Sequence, residues 1–138
     1  MKKRIGDGGM FEEQLKKAIQ DKYQMYFWYK SMLGLTKDPT WKSYIEHAIT
    51  DEKCHYEMFQ QLYYMMTGEY VQNLTKRPPC KNLKACAKEA IGEELENTDV
   101  YKEMFLNTPL QQGQYPFFIA MQDDMEHAIR FSTIYNAL

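Results

Sequence analysis

Apolar residues recur every three or four positions through four long segments of this chain, and glycine or proline separates each segment from the next. This spacing gathers the apolar side chains on one face of an α-helix. No stretch of useful length alternates apolar and polar residues as a strand does, and no internal repeat is evident. The pattern therefore predicts an all-α protein with four helices.

Glycine and proline also set the expected bounds of these helices. Residues 1–10 are polar and glycine-rich, and we expect them to form a flexible N-terminal tail. Residues 11–138 are long enough to enclose one continuous core, so a single domain is expected there. Gly34 and Gly68 stand where the first two helices should end, and Asp38-Pro39 favours a helix start. The predicted helices cover about residues 11–33, 39–67, 81–106 and 116–138.

The lengths of the connections limit the arrangement of the helices. Short links join helices 1 and 2 and helices 3 and 4, so each pair should be antiparallel neighbours. Residues 68–79, between helices 2 and 3, reach ~40 Å when extended at ~3.3 Å per residue. Helix 2, with ~29 residues at about 1.5 Å each, has a similar length. This pattern favours a ferritin-like four-helix bundle with a long crossover between helices 2 and 3.

The bulk composition excludes several classes of protein. The formal net charge of -2 offers no basic face for a nucleic acid. No window approaches the ~18 consecutive apolar residues of a membrane span, and Ile5–Gly9 breaks any signal peptide. We therefore expect a soluble, cytoplasmic protein. The 3 cysteines form no CxxC pair, so buried free thiols are expected rather than a disulfide or a zinc site.

Two of the 3 histidines stand in the same sequence frame on different helices. Glu52 and His55 interrupt the apolar stripe of helix 2, and Asp124 and His127 interrupt that of helix 4. A separation of three residues puts each acid beside its histidine on the helix surface. Buried carboxylates need partners, so these two pairs are candidate metal ligands. The third histidine, His47, lies off the stripe and is interpreted as a surface residue.

Helices 1 and 3 supply further candidate ligands. Asp21 is the best inward-facing acid of helix 1, and Glu93 and Glu96 are the choices on helix 3, with Glu94 in reserve. The lysines of helices 1 and 3, with Lys22 among them, are interpreted as solvated. Two iron ions require carboxylates that balance charge and one imidazole each, which this set provides. A hydrogen-bonded polar core without metal is the alternative. The proposed ligands are Asp21, Glu52, His55, Glu93, Glu96, Asp124 and His127.

At these residues the sequence resembles the rubrerythrin branch of the ferritin-like diiron proteins, over about residues 11–138. Segment 51–55 (Asp-Glu-Lys-Cys-His) is similar to the family's Glu-Lys-x-His, and segment 92–101 is similar to Gly-Glu-x-x-Glu-x-Thr-x-x-Tyr. Asp124-x-x-His127 followed by Arg130 also resembles the family. Asp21 and Asp124 depart from it, because the family has Glu at both positions.

The resemblance implies an activity and its partners. It implies a diiron oxidoreductase that reduces hydrogen peroxide or O2 as Fe(II) is oxidised, with Glu96 as a redox-dependent ligand and with manganese as a possible substitute for iron. The rubredoxin-like module is missing, so electrons would come from a separate donor protein, and a homodimer is expected. The alternatives are a ferritin-like iron oxidation and storage protein, or a non-catalytic structural bundle. Tyr101 and Tyr26 are expected either to pack in the core or to hydrogen-bond the carboxylates.

Overall fold

The computed structural model describes residues 4–138, and within this range it contains four α-helices and no strand. Two short 3-10 turns, Leu33–Leu35 and Gln111–Gly113, precede the second and fourth helices. The prediction of an all-α protein with four helices is confirmed for the described residues. The helices are α1 (Arg4–Met32), α2 (Pro39–Thr67), α3 (Leu83–Asn107) and α4 (Gln114–Ala137).

The start of α1 differs from the sequence-based expectation. Helical backbone begins at Arg4, whereas the glycine-rich composition favoured a start at Phe11. The first three residues of the expected tail, Met1–Lys3, lie outside the described residues. The flexibility of residues 1–10 stays a prediction.

The ends of α2 follow from local chemistry, as predicted. The Asp38 Oδ1 atom accepts hydrogen bonds from the backbone N–H groups of Thr40 (2.8 Å) and Trp41 (3.1 Å), and Pro39 occupies the first helical position. Gly68 ends the helix with a φ of 80°, a left-handed conformation that glycine adopts without a steric penalty. On α3 the cap is Asn82, whose Oδ1 accepts from the Ala85 N–H at 2.8 Å.

The helices pack as two hairpins. α1 packs mainly on α2, α3 packs mainly on α4, and the hairpins also meet between α2 and α4. The segment between α2 and α3 contains no helix and lies along α1. The backbone of Thr75 accepts from the Gln20 side chain at 2.7 Å, and the Cys80 N–H donates to Ser31 Oγ at 2.8 Å.

Two apolar clusters form the core, one toward each end of the bundle. The first includes Met32 and Ile45, near the link between α1 and α2, together with Phe131 of α4. The second includes Phe11 and Phe117. Each cluster draws residues from more than one helix, so burial of apolar surface holds the helices together. A layer of ionisable side chains separates the two clusters.

The two hairpins repeat one pattern of buried residues at a constant offset of 72 positions, as from Ile45 to Phe117. The sequence-based reading found no repeat, because the paired residues are often not identical. Their burial reveals the repeat, since both members of each pair are inaccessible. Further buried pairs are Ala18 with Ala90, Met32 with Met104, Ala48 with Ala120, Phe59 with Phe131, and Leu62 with Ile134.

The cysteines differ from the expectation of three buried free thiols. Cys80 and Cys86 form a disulfide, with their Cα atoms 6.3 Å apart, and Cys54 is an exposed free thiol. The expectation was wrong because the chain turns at Asn82 into α3, which brings Cys80 back against the first turn of that helix. His47 lies at the surface, as predicted, with 47% of its side chain exposed.

None of the helices in the described range is both long and apolar enough to cross a membrane.

Candidate metal centre

Six ionisable side chains are buried in the layer between the two apolar clusters, none more than 1% exposed. All four helices contribute to this layer. Such groups are rarely buried without partners, because removing a charge from water costs several kcal/mol. Their contacts with one another therefore decide what the layer can do. The six are Lys22 of α1, Glu52 and His55 of α2, Glu94 of α3, and Asp124 and His127 of α4.

The ammonium group of Lys22 bridges the two hairpins. Its Nζ atom donates to Glu52 Oε1 at 2.8 Å and to Asp124 Oδ2 at 2.7 Å. Burial opposes the charge on Lys22, but the carboxylates of Asp124 and Glu52 outweigh that effect and raise the pKa of Lys22 well above its usual range. Lys22 is therefore a buried cation shared by one carboxylate of each hairpin.

Each histidine is held at both ring nitrogens. The His55 Nδ1 atom lies 2.9 Å from Glu52 Oε1, and its Nε2 lies 2.8 Å from Asp123 Oδ2. On the other hairpin, His127 Nδ1 lies 2.7 Å from Glu94 Oε2, and its Nε2 lies 2.9 Å from Asp51 Oδ2.

Each Nε2 atom must carry a proton, because an ionised carboxylate can only accept a hydrogen bond. Both Nδ1 atoms therefore face the interior of the layer. Metal-ligating histidines commonly have this arrangement, with the second ring nitrogen held by a carboxylate.

Three carboxylate oxygens in this layer have no hydrogen-bond partner within the described part of the chain. They are Glu52 Oε2, Glu94 Oε1 and Asp124 Oδ1. Buried polar atoms are nearly always paired, so three unpaired oxygens in one layer call for a missing partner. A donor or a cation would satisfy them.

The electrostatics of the layer point the same way. Burial and the neighbouring Glu52 carboxylate raise the pKa of Glu94. Burial and Glu94 raise the pKa of Asp124 well above its usual range. Burial also acts against the charge of Glu52, but Lys22 and His55 outweigh it and lower the Glu52 pKa. The single charge of Lys22 is thus too little to keep all three carboxylates ionised, and a further cation would stabilise the layer.

Four of the buried side chains could hold such a cation together. One donor atom from each of Glu52, Glu94, Asp124 and His127 lies within 4.8 Å of the others. Carboxylate oxygens with an imidazole nitrogen suit divalent iron and manganese. The donor set and the unpaired oxygens therefore fit a divalent metal ion of this class.

The structure brings together four of the seven ligands predicted from the sequence. Glu52, His55, Asp124 and His127 all lie in the buried layer. The paired acidic-x-x-His frames predicted this convergence, since each frame lies near the middle of an inward-facing stripe.

The other three predicted ligands lie outside the layer. Asp21 is partly exposed, and its Oδ2 atom accepts from Lys17 at 3.1 Å. Glu93 is 36% exposed and pairs with Arg77 at 2.8 Å. Glu96 is exposed and lines surface grooves between α1 and α3. None of these carboxylates contacts the six buried groups.

Two residues of the layer were misassigned or placed in reserve by the sequence reading. Lys22 was interpreted as solvated because of its charge, although it shares the helical spacing of the buried Ala18, Met25 and Tyr29. That spacing was the signal for its burial. Glu94 was the reserve choice because two acids are adjacent and either fits an approximate stripe.

The buried stripe of α3 runs through Ala90, Glu94, Thr98 and Tyr101. Val100, which had been assigned to this stripe, is 44% exposed. That assignment shifted the predicted stripe by one residue and favoured Glu93. The burial of Thr98 and Tyr101 corrects the choice to Glu94.

Tyrosines surround the layer. The Tyr29 hydroxyl donates to Glu94 Oε2 at 2.9 Å, a contact that the sequence reading missed in favour of Tyr26 and Tyr101. Tyr101 is 1% exposed, and its hydroxyl has no hydrogen-bond partner among the described residues. Its ring centroid lies 4.8 Å from Lys22 Nζ. The Tyr26 hydroxyl lies 3.4 Å from Lys30 Nζ, at the surface.

A surface groove of about 480 Å³ approaches the layer between α1 and α3. Asp21 and Glu96 line this groove, and Tyr101 lies at its wall. Because Tyr101 contacts Lys22 on its other side, one aromatic ring stands between the groove and the buried charges.

No protein-family model, curated protein or solved structure matches this chain. The function therefore has to be argued from the residues of the layer themselves.

Proposed function

We propose that this chain is a ferritin-like metalloprotein that binds divalent iron or manganese in the buried layer and reduces hydrogen peroxide or O2. Glu52, Glu94, Asp124 and His127 would hold the metal. The protein would supply a fixed, water-poor site on four helices, a rigid support that favours reproducible ligand geometry.

The observation that carries the proposal is the set of three unpaired carboxylate oxygens beside His127 Nδ1. A purely structural core would be expected to pair these atoms, since an unsatisfied buried acceptor costs about 1–3 kcal/mol. A bound divalent cation would satisfy all three oxygens at once. It would also offset the repulsion that raises the pKa values of Glu94 and Asp124.

The path of the chain supports the ferritin-like part of the proposal. The segment between α2 and α3 contacts Gln20 near the middle of α1 and Ser31 near its end. A connection that follows α1 in this way is what a crossover along the bundle requires. The acidic-x-x-His pairs on α2 and α4 also match the layout of bundles that hold metals between facing helices.

When bound, reduced iron would supply the electrons for reduction of peroxide or O2. The residues of the chain would bind and orient the metal. Asp51 and Asp123 would fix the histidine rings through Nε2, and Tyr29 would hold the Glu94 carboxylate. The aromatic side chains of Tyr101 and Phe59 would limit the access of water to the layer.

A second candidate is a metal-free polar core. The Lys22 contacts favour it, because an ammonium group with two short hydrogen bonds already compensates part of the negative charge. In that case the chain would be a structural bundle, and protons would neutralise the remaining carboxylates.

Metal binding by matched variants distinguishes these two candidates. Metal-free protein would be titrated with Fe(II) and, separately, Mn(II) without oxygen, and the bound metal counted by elemental analysis after desalting. Stoichiometric binding by the wild type, its loss in Glu94→Gln and its retention in Glu93→Gln would support the proposal. Glu93→Gln is the control because it removes the adjacent carboxylate, which contacts Arg77 instead of the layer.

The reaction would be tested on the iron-loaded protein. Oxidation would be followed in a stopped-flow spectrometer after mixing with peroxide or O2. Faster oxidation by peroxide would support the peroxidase activity that the sequence predicts. Oxidation mainly by O2, with further iron uptake into a large assembly on native mass measurement, would favour iron storage. Absence of stoichiometric binding would leave the metal-free core.

A further inference from the structure

The repeat that relates the two hairpins also relates the residues of the layer. Each residue of α1 and α2 in or beside the layer has a counterpart 72 positions later, as from 52 to 124. Four of the five pairs are chemically alike. The fifth, Lys22 with Glu94, reverses the sign of the charge. The pairs are Lys22 with Glu94, Tyr29 with Tyr101, Asp51 with Asp123, Glu52 with Asp124, and His55 with His127.

The contacts show that these pairs are equivalent in space. Asp123 holds the Nε2 atom of His55 at 2.8 Å, and Asp51 holds the Nε2 atom of His127 at 2.9 Å. Each aspartate thus crosses to the histidine of the other hairpin. This reciprocal exchange is what an approximate two-fold axis through the layer produces.

The layer therefore has two equivalent sides. We call the side with Lys22 and His55 the lysine side, and the side with Glu94 and His127 the glutamate side. Glu52 and Asp124 lie between them. On the lysine side, the Lys22 ammonium takes one oxygen from each of these central carboxylates, Glu52 Oε1 and Asp124 Oδ2.

The other oxygens of the two central carboxylates remain unpaired. These are Glu52 Oε2 and Asp124 Oδ1, and Glu94 adds its unpaired Oε1. The donor atoms of Glu94 and His127 lie within the 4.8 Å group formed with both central carboxylates. Each central carboxylate thus offers one oxygen to Lys22 and keeps another for a second cation.

We propose that the Lys22 ammonium permanently occupies one of the two equivalent cation positions, so the native layer takes a single divalent metal ion, on the glutamate side. The proposal rests on the proposed function, since it counts the ions of that same site. It replaces the two irons expected from the sequence with one metal ion and one ammonium group.

Charge supports a count of one. The three buried carboxylates and the one ammonium group leave two negative charges when the histidines are neutral, and one divalent ion balances these. Two divalent ions beside the ammonium would leave the buried layer with two positive charges. An uncompensated buried charge of that size is strongly unfavourable.

Tyr101 shows what the lysine side would accept in place of lysine. Its counterpart Tyr29 donates to the Glu94 carboxylate at 2.9 Å, whereas the Tyr101 hydroxyl has no partner among the described residues. By the repeat, a carboxylate at position 22 would lie near the Tyr101 hydroxyl. Lys22→Glu should therefore complete a second metal position, with His55 as its imidazole ligand.

Counting metal ions in variants tests the proposal. Wild type, Lys22→Glu and the control Lys17→Glu would be titrated with Mn(II) without oxygen, after circular dichroism has shown that each is folded. Lys17 is the control because it changes the same charge on the same helix at a position with 78% of its side chain exposed. We expect one ion in the wild type, two in Lys22→Glu and one in Lys17→Glu.

The failures of the two proposals are distinguishable. Two ions in the wild type, or only one in folded Lys22→Glu, would overturn the role of Lys22 and leave metal binding intact. No ion in the wild type would overturn the proposed function, and the count of one with it.

A measurement on the wild type alone covers the case in which Lys22→Glu does not fold. At excess Mn(II), the electron paramagnetic resonance spectrum of the protein-bound ion should be that of isolated Mn(II). Exchange-coupled signals from an ion pair would overturn the proposal.

Discussion

The α1–α2 hairpin and the α3–α4 hairpin carry the same layout of buried residues, yet they contribute opposite charges at one pair of positions. On the glutamate side, Glu94 accepts from Tyr29 and faces His127. On the lysine side, Lys22 reaches past the corresponding tyrosine to the two central carboxylates.

The comparison separates what the fold requires from what the site requires. Apolar residues at paired positions, such as Phe59 and Phe131, differ little between hairpins because both fill the core. Position 22 and its counterpart 94 differ in charge without disturbing the packing around them. The bundle therefore tolerates either sign at this place, and the choice of lysine sets how many cations the layer needs from solution.

The largest expected effect is the loss of the lysine. Lys22→Met would leave the carboxylates of Glu52 and Asp124 buried without their ammonium partner. Breaking a buried ion pair from one side costs about 3–5 kcal/mol. We expect the free energy of unfolding of metal-free protein, measured with denaturant at neutral pH in the presence of a chelator, to fall by about that amount.

The corresponding change on the other hairpin sharpens the comparison. Glu94→Gln removes one negative charge from a layer that has too many in the absence of metal. The metal-free variant should therefore be at least as stable as the wild type in the same assay. Equal destabilisation by Lys22→Met and Glu94→Gln would contradict the difference between the two sides.

The two aspartates that hold the histidines should differ in their effect on metal affinity. Asp51→Asn loosens His127, on the glutamate side, and mutation of such a supporting carboxylate typically costs 10–100-fold in metal affinity, so about that loss is expected. Asp123→Asn loosens His55, beside the lysine, and should change the affinity much less. Calorimetric titration with Mn(II) measures both, and a larger loss in Asp123→Asn would place the metal on the wrong side.

Metal affinity should also depend on pH. Burial acts against protonation of His127, but its bonds to Asp51 and Glu94 outweigh that effect and raise the His127 pKa well above its usual value. A ligating nitrogen must lose its proton, so binding should release protons near neutral pH. Each proton released makes the affinity rise about tenfold per pH unit. Calorimetry in two buffers of different ionisation enthalpy counts these protons, and a count of zero would argue against His127 as a ligand.

The smallest expected effect separates the two tyrosines. Tyr29→Phe removes the hydrogen bond to Glu94 and should cost about 0.5–1.5 kcal/mol of stability. Tyr101→Phe removes a hydroxyl with no partner in the described structure, so its cost should be close to zero. Denaturant unfolding of the two variants side by side checks the difference.

The parts of the fold that could be predicted depend on short-range chemistry. Asp38-Pro39 and Gly68 bound α2 because the cap hydrogen bonds and the left-handed conformation are local properties. The pairs Glu52/His55 and Asp124/His127 could be predicted because a separation of three fixes their side-by-side position on any helix. The start of α1 was placed late, since glycines near the terminus lower helix propensity without forbidding a helix.

The rest depends on long-range contacts. Lys22 looks like a surface residue until Glu52 and Asp124 arrive from two other helices, 30 and 102 positions away. The choice between Glu93 and Glu94 requires the helix phase to one residue, which the approximate stripe did not fix. The 72-residue repeat becomes visible only when burial is compared, because core positions accept different apolar residues of suitable size.

The most direct test of the central claim is anomalous diffraction from crystals of the wild-type protein loaded with Mn(II), recorded above and below the manganese absorption edge. The account predicts one anomalous peak in the layer, between Glu52, Glu94, Asp124 and His127, with Lys22 still bonded to Glu52 and Asp124. Two peaks in the layer would contradict the role of the lysine. The absence of any peak there, in protein saturated with Mn(II), would contradict metal binding by this layer.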